Sequence, residues 1–201
     1  INVVNLARGG RSFRTFVYEG LWDRLLTGLK PGDIVMIQFG WNDGGDIHSP
    51  TSKDRPDLPG LGDATEEVTR SDGKTETVHT FGWYARKFVN DVRAKGATPI
   101  LMMTTPSSSW TDGKINRKLS SVNTWTQQVA AAEKVPLIDH TDAIDDVLDK
   151  LGQEKVKEFH PADYLHTSTP GAIVNAEAFV AAVKGMDLHP LVDDLSDKGK
   201  A

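Results

Sequence analysis

Asp163 and His166 stand three residues apart in the segment Phe159-His160-Pro161-Ala162-Asp163-Tyr164-Leu165-His166-Thr167-Ser168. At that spacing a short turn can bring carboxylate and imidazole together. The carboxylate then accepts from one ring nitrogen and leaves the other free to take a proton from a nucleophile. Such a pair is two thirds of a hydrolase triad. Two other segments could hold the charge that attack on an ester would create. Asn42, in Gly40-Trp41-Asn42-Asp43, can aim an amide donor at a developing oxyanion. Gly9-Gly10, in Ala7-Arg8-Gly9-Gly10-Arg11-Ser12, can offer a backbone N–H. Each segment also reads as a simple turn, since Asn-Asp-Gly-Gly and Gly-Gly favour turns in their own right.

The elements that must carry these residues alternate between strand and helix patterns. Residues 2–4 are β-branched and short, and they lead into a polar glycine-bearing loop over 5–12. Apolar residues near helical spacing predict a helix over 13–29, stopped by Lys30-Pro31-Gly32-Asp33. The continuous apolar run 34–39 predicts a buried strand, and 40–78 reads as one long polar loop. Helix is expected over 81–95, strand over 98–105, helix over 116–134 and strand over 136–138. Further helices are expected over 141–151, with Thr141 as cap, and from Thr169-Pro170-Gly171 to about residue 184. Strands separated by helices imply parallel pairing, hence an α/β helix-sheet-helix sandwich with sites beyond the carboxyl ends of its strands. The loops at 5–12, 40–45 and 163–168 are expected at one such edge. One domain is expected over 1–186, with a polar tail over 187–201.

Composition narrows the function classes. With 201 residues, 38% apolar and 25% charged, the chain suits one globular domain. A net charge of -5 argues against nucleic acid or an anionic membrane as partner. No cysteine is present, which removes thiol catalysis and thiolate metal sites. The histidines form no compact ligand set, so no metal or cofactor is expected. No apolar run reaches the roughly 18 residues that span a bilayer. Ser12 and Ser168 read as helix caps rather than nucleophiles, and Ser107-Ser108-Ser109 as a loop. Asp139, Asp142, Asp145, Asp146 and Asp149 read as a solvated helix face. Trp22, Trp83, Trp110 and Trp125 read as packing residues.

Taken with their order and spacing, these blocks resemble the SGNH hydrolases, also called the GDSL family, and within it the rhamnogalacturonan acetylesterases. The resemblance runs through Val3-Val4-Asn5 with Gly10-Arg11-Ser12, and Gln38-Phe39-Gly40 with Asn42-Asp43-Gly44. It continues through residues 78–84, Lys95-Gly96-Ala97-Thr98-Pro99-Ile100 and residues 159–172. It implies His166 as general base, Asp163 as its orienting carboxylate, and the Gly10 N–H and Asn42 amide as oxyanion donors. It implies Trp41, Asp43 and Tyr164 as substrate-contacting positions, and an SGNH or flavodoxin-like sheet.

The family's nucleophile is a serine in a Gly-Asp-Ser block at the end of its first strand, upstream of the Gly10 segment. This chain starts after that point, so the nucleophile is not among its residues and the chain alone is expected to be inactive or nearly so. In the family that strand lies between those matching residues 2–4 and 34–39. Trp41 stands where such acetylesterases usually carry His, and Tyr164-Leu165 where His-Thr is usual. The resemblance implies a cofactor-free esterase removing acetyl groups from pectin-like polysaccharide, secreted or periplasmic and monomeric. A non-catalytic carbohydrate-binding relative is the alternative. A hydrolase in which the dyad activates water directly is a third.

Overall fold

The computed structural model describes residues 2–117, 120–189 and 191–200. Its described residues fall into two compact units. One comprises Asn2–Thr104 and Ser120–Leu137; the other comprises the described residues of 105–119 and 138–201.

In the larger unit, Ser12 starts the first helix α1 (Phe13–Tyr18) with a full capping box. Its hydroxyl accepts from the Thr15 amide, while the Thr15 side chain accepts from the Ser12 amide. The expected single helix over 13–29 is two. Gly20, at φ +70°, takes the left-handed turn between α1 and α2 (Leu21–Gly28), a conformation that other residues adopt only with strain. Strand β1 (Ile34–Ile37) follows. The long polar loop then contains an unforeseen antiparallel hairpin, β2 (Thr65–Thr69) and β3 (Thr75–His79), paired from Thr65↔His79 to Thr69↔Thr75. Its strands are mostly exposed, so no alternation of apolar and polar residues marked them. Helix α3 (Phe81–Ala94) is capped by Thr80, whose hydroxyl accepts from the Trp83 amide. Strand β4 (Thr98–Met102) lies parallel to β1, from Ile34↔Thr98 to Ile37↔Leu101.

Helices α3 and α4 (Ser121–Glu133) pack on β4. Of the expected helix over 116–134, Lys118 and Leu119 lie outside the described residues, and helix begins at Ser121 under the Ser120 cap. Strand β7 (Leu137–Ile138) completes a sheet of order β1-β4-β7. The helix-flanked parallel α/β architecture is therefore present. The strand expected at residues 2–4 is not: the segment has no regular structure, and Val3 and Val4 are 75% and 66% exposed. No described strand pairs with it, and an extended segment without a ladder partner has nothing to hold it. Likewise β1 ends the sheet, with its Met36 exposed.

Aromatic rings fill the core of this unit. Phe88 is fully buried, stacks on Trp22 at 3.7 Å and meets Phe13 edge-on at 4.8 Å. Arg14 is buried too, donating to the Pro56 carbonyl and, through Nε and Nη2, to Glu76 of β3. That forked ion pair ties α1 to the hairpin.

The smaller unit holds the short hairpin β5 (Trp110–Thr111) and β6 (Lys114–Ile115), helices α5 (Thr141–Leu151), α6 (Gln153–Val156) and α7 (Thr169–Lys184), and the terminal turn α8 (Asp197–Lys200). Ile115, Ile144, Leu148, Val156, Phe159 and Ala178 form its core. The helix starts at Thr141 as expected, but its capping residue is His140 rather than Thr141, and His140 makes no side-chain cap bond. No helix of the described residues is long and apolar enough to cross a membrane.

Phe88 removal tests the aromatic core. Phe88→Ala should lower unfolding free energy by about 3–5 kcal/mol in urea titration, the usual cost of emptying a large aromatic site. A loss under about 1 kcal/mol would show that the ring stack is not the main support of this unit.

Candidate active site

The smaller unit carries the candidate acid–base pair. His166 Nδ1 lies 2.7 Å from Asp163 Oδ2, and Asp163 Oδ1 accepts from the amides of Leu165 and His166, both at 2.7 Å. One carboxylate thus closes the turn and holds the ring. The His166 amide, the His166 ring and the Leu165 amide together pull the Asp163 carboxyl down to about 2. It stays ionised at any pH near neutrality and favours the Nδ1–H tautomer. Nε2 is then the proton acceptor, on a side chain 77% exposed.

Both flanks of this turn are pinned. Ser108, in the loop after β4, donates its amide (2.7 Å) and hydroxyl (3.2 Å) to the Tyr164 carbonyl. At the far end the Ser168 amide donates to Phe159 O and its hydroxyl to Glu158 O. Ser168 is the N-cap residue of α7, with Pro170 in the first turn. Its hydroxyl is engaged with Glu158, and that of Ser12 lies buried in the capping box. Neither is poised as a nucleophile. Tyr164 is 61% exposed.

The larger unit carries the candidate oxyanion donors and the aromatic position. Gly40 follows β1 at φ +146°, and a Cβ there would meet Thr104 Cγ2 at 2.7 Å, so only glycine fits. Trp41 is 45% exposed. Asn42 Nδ2 lies 3.4 Å from the Arg11 carbonyl, and its Oδ1 accepts from Arg55 at 3.1 Å. Gly10 is at φ +73°, and no acceptor meets its N–H among the described residues.

Asp43, expected to touch substrate, is buried. It is 3% exposed, and its Oδ1 accepts from the Phe13 amide at 2.8 Å. The amides of Gly40 and Asn42 also point at it, and the Asp57 amide donates to its carbonyl. Asp57 is equally buried, and its carboxyl lies against that of Asp43. Two carboxyls out of water cannot both ionise cheaply. Burial pushes Asp43 up to about 6, and burial plus the Asp43 charge raise Asp57 well above the usual carboxylate range. Of the two, Asp57 holds its proton the more firmly.

Beside this pair opens a cavity of about 340 Å³ whose walls include Gly40, Trp41, Asp43, Asp57, Thr104 and Trp125. Trp125, read from the sequence as packing, both contacts Phe81 and lines this hollow. Arg55, Asp57 and Thr104 were also missed. Arg55 and Asp57 sit in a stretch whose polar composition marks none of them apart. The remaining readings divide. His79 stacks on Trp83 at 3.6 Å as a packing residue. The acidic face of α5 is not uniformly solvated: Asp145 is buried and its carboxyl is raised to about 6 by desolvation, and Asp149 pairs with Arg117. Among the described residues no cluster could hold a metal ion.

Comparison with known proteins decides the family. The model of the GDSL-like Lipase/Acylhydrolase family matches residues 1–172. The chain belongs to that family. It is 34% identical over 183 residues to the rhamnogalacturonan acetylesterase of Emericella nidulans, covering 91% of this chain and 74% of that protein. It is 28% identical to the probable rhamnogalacturonan acetylesterase YesY of Bacillus subtilis, covering 97% and 82%. In structure it matches the YxiM protein of Bacillus subtilis with TM-score 0.69 at 24% identity, over 94% of this chain and 47% of that one. An acetylxylan esterase from Geobacillus stearothermophilus matches with TM-score 0.56 at 19% identity, over 87% and 68%. This GDSL-family chain thus spans about half of the YxiM chain, and both structural likenesses speak to the fold.

The acid pair predicts a pH dependence. Because both folded pKa values are raised, the folded chain keeps a proton that the unfolded chain releases near the ordinary carboxylate range. Stability from this pair is therefore lost as pH rises from about 4 through about 6. Asp57→Asn supplies an uncharged donor to Asp43, so it should flatten that fall. Thermal melting of both forms at about pH 4 and about pH 7.5 measures it. Parallel wild-type and variant curves would rule out a proton retained by this pair.

Proposed function

We propose that this GDSL-family chain is the larger part of a serine carbohydrate esterase that removes acetyl groups from pectin-type polysaccharide. The observation that carries the reading is the Asp163–His166 pair, bonded at 2.7 Å with the second ring nitrogen exposed. In the proposed reaction His166 Nε2 takes the proton of a serine hydroxyl as its oxygen adds to the acetyl carbonyl. The Gly10 N–H and the Asn42 amide stabilise the tetrahedral oxyanion. The imidazolium then protonates the departing sugar alkoxide, and the same histidine activates water to release acetate. Asp163 keeps the tautomer and the ring in place throughout.

The serine is proposed to come from sequence outside residues 1–201. Support for this lies in the engaged hydroxyls of Ser12 and Ser168 and in the free edge of β1, where Met36 is exposed. Trp41 and Tyr164, both exposed, are proposed to contact the sugar, and Asp43 to act by shaping the Gly40–Asn42 turn. Support for the substrate class comes from the relatives named as rhamnogalacturonan acetylesterases. The catalytic domain is proposed to extend through residue 186, and the enzyme to work as a monomer, secreted or periplasmic.

Acetate release from acetylated pectin and from p-nitrophenyl acetate, by the 201-residue chain and by a form extended upstream, tests this. The extended form should turn over and the shorter chain should not. His166→Ala should cost about a thousandfold or more in kcat, and Asp163→Asn about a hundredfold or more. Binding of acetylated oligosaccharide without turnover by either form would replace the enzyme with a carbohydrate-binding relative.

A further inference from the structure

The guanidinium of Arg55 stands across both candidate oxyanion donors. Its Nη1 donates to Asn42 Oδ1 at 3.1 Å. Its Nη2 lies 3.1 Å from where a Cβ on Gly10 would project. Residues 10, 42 and 55 come from three separate segments; the cation of Arg55 bonds Asn42 and borders the space beside Gly10. No carboxylate lies within ion-pair distance of Arg55 among the described residues, and its hydrogen-bonded side-chain partner is the neutral Asn42.

That bond has a chemical consequence for Asn42. A primary amide is nearly symmetric in shape, so a half-turn about its last torsion exchanges oxygen and nitrogen at little steric cost. Only one of the two orientations presents a donor to an oxyanion. A guanidinium has donors and no acceptor, so it accepts the amide oxygen as neighbour and rejects the NH₂. The orientation is thereby decided: Oδ1 faces Arg55, and Nδ2 faces away, toward the Arg11 carbonyl. At 3.4 Å that second contact is longer than a good N–H···O bond. The donor is aimed and only lightly engaged, ready to move onto a stronger acceptor.

We infer that Arg55 is the positioning residue of the oxyanion site, holding the Asn42 amide with Nδ2 as its outward donor. The inference rests on the esterase reading for its effect on rate, and on this chain's geometry alone for its effect on Asn42. A preorganised donor needs no reorientation when charge develops, which is where such sites gain their advantage.

The test has two arms. In the 201-residue chain, ¹⁵N relaxation reads the order of Asn42 Nδ2 without any turnover. Arg55→Met keeps the aliphatic stem and removes the donors, so the order parameter should fall from the rigid range of about 0.8 to below about 0.6. Arg55→Lys, which restores one donor, should recover part of it. In the ester-hydrolysing form, Arg55→Met should lower kcat about tenfold with KM within about twofold, and added guanidinium at sub-denaturing concentration should restore part of the rate. In an Asn42→Ala background the same Arg55 change should have no further effect, because its action runs through that amide. An unchanged order parameter overturns the inference, as does an equal loss of kcat in both backgrounds. If Asn42→Ala itself leaves kcat intact, the oxyanion assignment of Asn42 fails instead, and the relaxation arm still decides Arg55.

Discussion

Asp43 is a short acidic side chain in a place without water, and the larger unit is arranged around making that tolerable. Its carboxyl takes the Phe13 amide at the start of α1, faces the amides of Gly40 and Asn42, and lies against the raised carboxyl of Asp57. Its backbone carbonyl takes the Asp57 amide. A buried carboxyl left without donors would cost several kcal/mol, so each of these partners is held as firmly as the group itself. The turn that bears Asn42 and the start of α1 are in this way fixed to one another through a single side chain. Arg14 repeats the device one turn on, with its buried fork on Glu76 and its bond to Pro56.

The acid–base pair of the smaller unit follows the opposite design. Asp163 and His166 are exposed, and their geometry comes from the turn they sit in rather than from burial. Backbone amides two and three residues ahead hold the carboxylate, and the carboxylate holds the ring. Ser108 and Ser168 then fasten the turn at each side. An exposed ring nitrogen on a fixed ring suits the proposed base, which must meet a large substrate and later a water molecule. Near neutral pH, the depressed Asp163 and the raised Asp43 show one residue type put to two uses by its surroundings.

Much of the framework was legible because it is written by neighbours in the chain. Ser12 ahead of Phe13 and the apolar runs at 34–39 and 98–105 each carry their own signal, and each holds the element it signalled, the strands ending at Ile37 and Met102. The failures share a cause as well. The helix over 13–29 broke because the turn at Gly20 outweighed a continuous apolar stripe. The hairpin of β2 and β3 gave no period-two pattern because each strand buries a single valine, Val68 or Val78. Residues 2–4 have strand-forming side chains, yet propensity is weak where no ladder partner is present.

The sequence by itself determined the alternation of strands and helices, the Ser12 cap, the absence of thiol chemistry, and an Asp and His spaced so that one turn joins them. These depend on hydrogen bonds spanning two to four residues, which local side chains decide. Only the tertiary structure decided that Asp43 is buried, that Asp57 lies against it, and that Arg55 faces Asn42 Oδ1. Those contacts link residues 13, 14 and 30 positions apart. Their energies depend on where the chain crosses itself and what water it excludes there, and neither is encoded in the spacing of residue types along the chain.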